Sequence, residues 1–291
     1  MDWLHALILG IIQGLAEYLP ISSSGHLEIF KDILGMKMDG AESLEFDLVL
    51  HVATVLSTIV VLWREFVPLI TSFFGWRRDS NFYYVWKILL SCVPILVVGL
   101  IFKDKIDALF EGNLLIVGIA LIATAALLSF TYFSRTEPAL RSGDKSIAKK
   151  GHDITWLDAF IIGCAQAVAV IPGLSRSGST IATGILLGDR RDKLAQFSFF
   201  MVIIPILGEA LLSVKDILGG EAIDTVAQAG IAETTASVGL FQLLIGFVAA
   251  FVVGCIACRW MINLVKKGKL IWFAVYCACA GTLCIVWNLC H

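Results

Sequence analysis

Charge is what this 291-residue chain has least of: Asp, Glu, Lys and Arg together make up 16% of it, against 58% hydrophobic side chains and a mean hydropathy of +0.86. That is too little polar surface to cover a water-soluble globule of this size, so the bilayer is its solvent. An excess of one sign is missing as well, with 22 Lys and Arg against 24 Asp and Glu. Nothing in that balance suits a nucleic-acid partner. Cys255 and Cys258 form a C-x-x-C, but no second pair stands at zinc-ligand spacing. Cys92, Cys164, Cys255, Cys277, Cys279 and Cys284 all fall in apolar segments, where the thiol packs as a small hydrophobe. The apolar run from Trp3 has no basic stretch before it, so no cleavable signal peptide is expected.

What the chain has in abundance is long apolar runs. Roughly 46–63, 82–102, 114–133, 194–214, 237–258 and 270–289 each approach or exceed the ~20 residues that a helix needs to cross a hydrocarbon core. Two others, 3–35 and 156–188, are interrupted in the middle, by Pro20-Ile21-Ser22-Ser23-Ser24-Gly25-His26 and by Pro172-Gly173-Leu174-Ser175-Arg176-Ser177-Gly178. Each reads as helix, break, helix. Backbone freed at such a break is tolerated at membrane depth only inside protein or along a polar cavity, which marks both breaks as a site.

The interrupted segments are copies of one another. Shifted by 153 positions, they share twelve identities over thirty-three residues, among them Gly10 with Gly163, Gln13 with Gln166, Ser22 with Ser175, Ser24 with Ser177 and Gly25 with Gly178. The chain therefore divides into a first repeat over 1–133, a linker over 134–153 and a second repeat over 154–291. Each repeat holds one interrupted segment and three spanning helices.

The distribution of Lys and Arg orients them, since cytoplasmic loops hold the excess. If the interrupted segments turn back within the membrane, five basic residues fall on one side and fifteen on the other; if they cross, the split is nine to eleven. The biased split selects an all-α polytopic membrane protein with six spanning helices, two re-entrant helical hairpins and an inverted-topology repeat. Both termini then lie outside, and 64–81, 134–153, 189–193 and 259–269 are cytoplasmic loops, while 215–236 is a polar outer loop. Trp63, Trp76, Trp86, Trp260 and Trp272 near the segment ends fit an interfacial belt.

The first hairpin carries Gln13 and Glu17 on one helix face, four apart, followed by Ser22, Ser23, Ser24 and His26. A carboxylate at membrane depth needs a partner or a function. The second sets Arg176 among Ser175, Ser177, Ser179 and Thr180 at a helix start, where free amides, the positive end of the dipole and a guanidinium fork suit an anion. Helix capping is the plainer role of the serines. Within 172–180 no Lys precedes Ser or Thr as a nucleotide-binding loop would require. Under the repeat, Glu17 faces Val170, His26 faces Ser179 and Ser23 faces Arg176, so one half supplies acid/base groups and the other the fixed charge. His51 and Asp47 read first as interfacial packing, with catalysis the alternative, and Glu209 and Gln196 as cavity lining or buried hydrogen bonding.

Gln13-x-x-x-Glu17 with Leu19-Pro20-Ile21-Ser22-Ser23-Ser24-Gly25-His26, and Pro172-Gly173-Leu174-Ser175-Arg176-Ser177-Gly178-Ser179-Thr180, resemble in content and order the two signatures of the undecaprenyl-pyrophosphate phosphatase family of the bacitracin-resistance type. The resemblance implies hydrolysis of undecaprenyl pyrophosphate to the monophosphate, which recycles the cell-wall carrier lipid. It further implies a divalent cation, Mg or Ca, in the bacterial plasma membrane, with the phosphates presented at the outer face. On this reading Glu17, His26, Ser23 and Arg176 are catalytic, Glu17 also holds the metal, and Ser22, Ser24, Ser175, Arg176, Ser177 and Thr180 bind phosphate. Gln13 and Gln166 support them. A polyprenyl pyrophosphate lipid and the bilayer are the partners, and a homodimer is left open. Whether Ser23 or a water attacks, and whether His26 or Glu17 is the base, stay open. A lipid-phosphate transporter or flippase is the alternative that the repeat suggests.

Overall fold

A computed structural model describes residues 1–36, 40–109, 114–133, 151–218 and 238–290. The described residues form twelve helices and no sheet: α1 Trp3–Ala16, α2 Ser23–Ile33, α3 Gly40–Val61, α4 Trp63–Phe74, α5 Ser80–Leu109, α6 Leu114–Phe133, α7 Trp156–Val168, α8 Arg176–Leu187, α9 Arg191–Met201, α10 Ile203–Leu218, α11 Leu240–Lys266 and α12 Ile271–Cys290. Six stretches are long and apolar enough to cross a membrane, namely α3, α5, α6, α9 with α10, α11 and α12. They match the six apolar runs read from the sequence.

Three expectations change. The segment 64–81 is not a loop, because Phe66, Leu69, Ile70 and Phe73 recur at helical spacing and give α4 an apolar face, with Leu69 buried and Phe66 against Phe200. The run 194–214 is two helices that meet at Val202, three residues before Pro205. Residues 259–266 continue α11, since Arg259 and Lys266 end a membrane helix without stopping it. Of the expected linker, only 151–153 lies within the described residues, and of the outer loop only 215–218.

Lipid tails offer no hydrophobic drive for helix association, so close backbone approach has to hold the bundle. α6 and α12 meet at Gly118 and Gly281: a Cβ on Gly281 would stand 2.7 Å from the Gly118 carbonyl oxygen. α1 lies as close to α11, where a Cβ on Gly14 would stand 2.6 Å from the Ala250 oxygen. α7 packs on α5, and α3 also packs on α11. The outward faces remain apolar, with Leu100 83% and Leu240 74% exposed, as a lipid-facing surface requires.

Candidate functional site

Two short interruptions bring the polar residues inward. Between α1 and α2 the chain runs through Glu17–Ser22, and Ser22 closes the break with φ +71°, an uncommon conformation for a residue with a side chain. Its hydroxyl accepts from the Gly25 amide at 3.2 Å and its carbonyl from the His26 amide at 3.2 Å. The second break repeats the device: Ser175 Oγ accepts from Gly178 N at 3.1 Å, and Ser175 O from Ser179 N at 2.8 Å. Ser22 and Ser175 are thus the N-caps that the sequence suggests. Among the described residues, the amides of Ser23, Ser24, Arg176 and Ser177 are not taken by these caps, and they are the donors that a helix start leaves free.

The two breaks touch. A Cβ on Gly25 would stand 3.0 Å from Gly173 Cα, one on Gly178 would stand 3.2 Å from Pro20 Cβ, and Ser177 Oγ donates to Leu19 O at 3.2 Å. α6 braces the junction, with Thr124 Oγ1 accepting from Ser175 N at 3.0 Å. Gly173 at φ +91° fits against the Val117 backbone, where any side chain would collide.

Glu17 stands at the centre of the junction. Its Oε1 accepts from Arg176 Nη2 in a short ion pair across the two hairpins. Its Oε2 accepts from Gln13 Nε2 at 2.9 Å and from Ser23 Oγ at 2.8 Å, and His51 Nε2 lies 3.6 Å away. Glu17 is buried and Arg176 partly open, and the cleft beside them is walled by Tyr18, Thr54, Thr58, Ser198 and Phe199. Tyr18 is itself fixed, its hydroxyl bonded to Thr54 O at 2.6 Å and to Thr58 Oγ1 at 2.9 Å.

His26 belongs to a separate pair. Its Nδ1 lies 2.8 Å from the Ser22 carbonyl, which can only accept, so Nδ1 carries the proton. In the neutral ring Nε2 is then the acceptor, and the Tyr276 hydroxyl stands 2.7 Å from it with the rings stacked.

Of the residues that the sequence singled out, Gln13, Glu17, Ser23 and Arg176 are joined directly. Ser24 Oγ lies 3.5 Å from Ser22 Oγ, and Ser177 Oγ stands 3.5 Å from Ser175 Oγ. Thr180 is turned away, donating to Arg176 O at 3.0 Å and lying 2.6 Å from Ser198 Oγ. Gln166 is fully buried, with neither amide atom hydrogen-bonded. The repeat explains this, because the carboxylate that Gln13 meets four residues on is Val170 in the second half. Asp47 is not mere packing, since it pairs with Lys31 at 2.7 Å. Glu209 is exposed and is not among the residues that line the cleft. Tyr276 is the residue that sequence reasoning missed, and His51, read first as packing, stands beside Glu17.

The Gln13 Oε1 is buried without a hydrogen-bond partner, on the same side-chain amide whose nitrogen holds Glu17. An orphaned carbonyl oxygen beside a carboxylate suits a hard cation, which keeps other positions for water or phosphate.

An all-helical, multi-pass membrane protein with a buried carboxylate, guanidinium and hydroxyl cluster is the class that these features define. The model of the family described as Bacitracin resistance protein BacA matches residues 6–283. A protein named undecaprenyl-diphosphatase from Bacteroides fragilis is 52% identical over 286 residues, covering 98% of both chains. One of that name from Bacteroides thetaiotaomicron is 52% identical over 289 residues, covering 99% of this chain and 100% of its own. A third, from Christiangramia forsetii, is 43% identical over 288 residues and 98% of both chains. The chain belongs to the BacA family, as its two signatures indicated.

Proposed function

We propose that this protein is an undecaprenyl-diphosphatase that hydrolyses undecaprenyl pyrophosphate to undecaprenyl phosphate and phosphate, returning the carrier lipid to cell-wall synthesis. The observation that carries the reading is the Glu17 cluster, where one carboxylate meets Arg176 on one oxygen and the Ser23 hydroxyl on the other.

Ser23 donates to Glu17, so Glu17 is the base within reach of that hydroxyl. The reading that follows is a seryl-phosphate route. Ser23 Oγ attacks the terminal phosphorus as its proton passes to Glu17, the bridging P–O bond breaks, and undecaprenyl phosphate leaves. Water then opens the Ser23 phosphate ester. Arg176 exchanges Glu17 for the phosphates, gripping them with its fork beside the amides of Arg176 and Ser177. Ser24, Ser177 and the caps Ser22 and Ser175 fix the two helix starts that present those amides. His26, with Tyr276 on its Nε2, completes the acid/base set. Gln13 Oε1 and Glu17 would hold a divalent cation, Mg or Ca, which when bound neutralises phosphate charge.

The topology is part of the proposal: both interrupted segments turn back within the membrane, the repeats over 1–133 and 154–291 are inverted about the 134–153 linker, and both termini face outward with the site. Partner exchange supports it, because α1 of the first half packs on α11 of the second and α7 of the second packs on α5 of the first. Reporters after His291 and within 143–150 should read out on opposite sides of the membrane; the same side would overturn the inversion.

Phosphate release in detergent, over a chain-length series of prenyl pyrophosphates with and without EDTA, tests the activity. Release that EDTA suppresses is expected. A transporter or scaffold releases none, and that result would overturn the reading.

A further inference from the structure

A buried ammonium lies on the first hairpin, outside the Glu17 cluster. Lys31 stands about 12 Å further along α2 than Ser23, at ~1.5 Å per residue. Each of its protons is met: Nζ donates to Asp47 Oδ2 at 2.7 Å, to Ser43 Oγ at 2.7 Å and to Glu28 Oε1 at 3.3 Å. Glu28 belongs to α2 itself, whereas Ser43 and Asp47 belong to α3, so the ammonium ties one helix to the other.

Apolar packing alone does not fix how these two helices sit. Leu27 of α2 is buried in one cluster with Phe46 and Leu50 of α3, but hydrophobic contact is non-directional and tolerates sliding. A buried ion pair adds little net stability, because desolvation offsets the attraction, and its best-attested use is to set register. The second hairpin meets the same need without charge. Position 184, which matches 31 under the shift of 153, is a glycine, and a Cβ there would collide with the Leu194 side chain, so α8 sits directly on α9.

The Lys31 pair also closes a frame around Glu17. Asp47 lies one turn before His51 on α3, and its carbonyl accepts from His51 Nδ1 at 2.7 Å. His51 Nε2 stands 3.6 Å from Glu17 Oε2, the oxygen that accepts from Ser23 Oγ at 2.8 Å. The start of α2 is thus tied to Glu17 and its far end to α3. Loss of the ammonium would free that far end and leave the Asp47 carboxylate without its cation, with Oδ1 already buried and unpartnered among the described residues.

We infer that Lys31, through its pair with Asp47, is a positioning residue for the reaction: it fixes the register of α2 on α3 and so holds the Ser23 hydroxyl against the Glu17 carboxylate. The inference rests on the seryl-phosphate route. It separates Lys31 from the groups that touch substrate, since the ammonium is fully engaged by protein oxygens.

The test uses the full-length protein in detergent and undecaprenyl pyrophosphate labelled in its terminal phosphate. The rate at which label is trapped on the protein in a single turnover, kcat, KM and the thermal midpoint are measured for the wild type, Lys31→Met, Lys31→Arg and Asp47→Asn. Lys31→Met and Asp47→Asn should slow trapping and kcat by about tenfold, since an ångström of misplacement costs up to ~10²-fold. KM should stay within about twofold, because the groups that bind phosphate are untouched. Lys31→Arg keeps the charge and should recover most of the loss. Should Lys31→Met fail to fold, Ser43→Ala carries the test, because it removes one acceptor and no charge; a slowing of about threefold is expected, the scale of one hydrogen bond. A lowered midpoint with trapping and kcat at wild-type rates would make the pair structural only and overturn the inference alone. Phosphate release by the wild type without any trapped label would instead overturn the seryl-phosphate route, and the inference with it.

Discussion

The Tyr276 hydroxyl stands 2.7 Å from Nε2 of His26, joining the last membrane helix to the start of α2 across 250 positions of sequence. Because Nδ1 of His26 is committed to the Ser22 carbonyl, Tyr276 holds the only nitrogen through which the neutral ring can take a proton. Tyr276→Phe keeps the stacked ring and removes the hydroxyl. It should lower kcat by about tenfold and leave the thermal midpoint near wild type, within the ~1 kcal/mol that one hydrogen bond contributes. Unchanged kcat together with an unchanged pH profile would remove Tyr276 from the acid/base set.

Glu17 receives the Ser23 hydroxyl, so each residue should be needed for the first chemical step. Ser23→Ala and Glu17→Gln should each reduce kcat by at least ~10²-fold, the usual scale for losing a general base or its nucleophile. Labelled phosphate should be trapped on the wild-type protein and not on Ser23→Ala. Equal trapping on both would move the nucleophile elsewhere and return water attack to first place.

The contact of α6 with α12 tests the packing. A methyl group at Gly281 would lie 2.7 Å from the Gly118 carbonyl oxygen and 3.0 Å from Leu121 Cβ, and neither can give way without moving a helix. Gly281→Ala should destabilise by about 1–3 kcal/mol, the usual cost of overpacking. Gly208→Ala is the control, because nothing lies within 4 Å of a Cβ there. A scan in detergent should show the midpoint falling for the first variant alone.

Hydropathy located the six spanning stretches because each is long, apolar and read without reference to its neighbours. It missed α4, which is short and two-faced and whose Arg64 and Glu65 resemble loop composition. The repeat made the Glu17–Arg176 pair legible: two copied, interrupted segments had to bring one carboxylate and one guanidinium to the same junction. His51 and Tyr276 had no such marker. His51 reaches Glu17 from 34 positions away, and Tyr276 sits within an apolar run, so only the packing of α3 and α12 reveals their part. Ser175 caps its own helix, the plainer of the two roles that its place at a helix start offered, whereas Thr180, expected to bind phosphate, bonds to Arg176 O and lies against Ser198. Local capping competes for these oxygens in a way that residue type does not disclose.

Arg176 brings the largest consequence to a single substitution. It is the guanidinium at the junction, its partner Glu17 lies 159 positions away, and its side chain is 23% exposed toward the cleft. Arg176→Lys keeps the charge at this depth, so the ion pair with Glu17 persists and the protein should fold with a midpoint close to wild type. A lysine, however, is a point charge on a flexible stem and cannot hold two phosphate oxygens in one plane. Substrate binding should therefore weaken and turnover should fall further, with kcat reduced by about 10²-fold or more, since positioning and charge neutralisation carry most of phosphoryl transfer. Arg176→Ala leaves Glu17 buried without its cation and should lose stability as well, by about 3–5 kcal/mol on the scale for breaking a buried pair. Measuring kcat, KM and the thermal midpoint of both variants separates the roles. Wild-type kinetics in Arg176→Lys would refute phosphate binding, while loss of folding in that variant would make Arg176 a structural residue only.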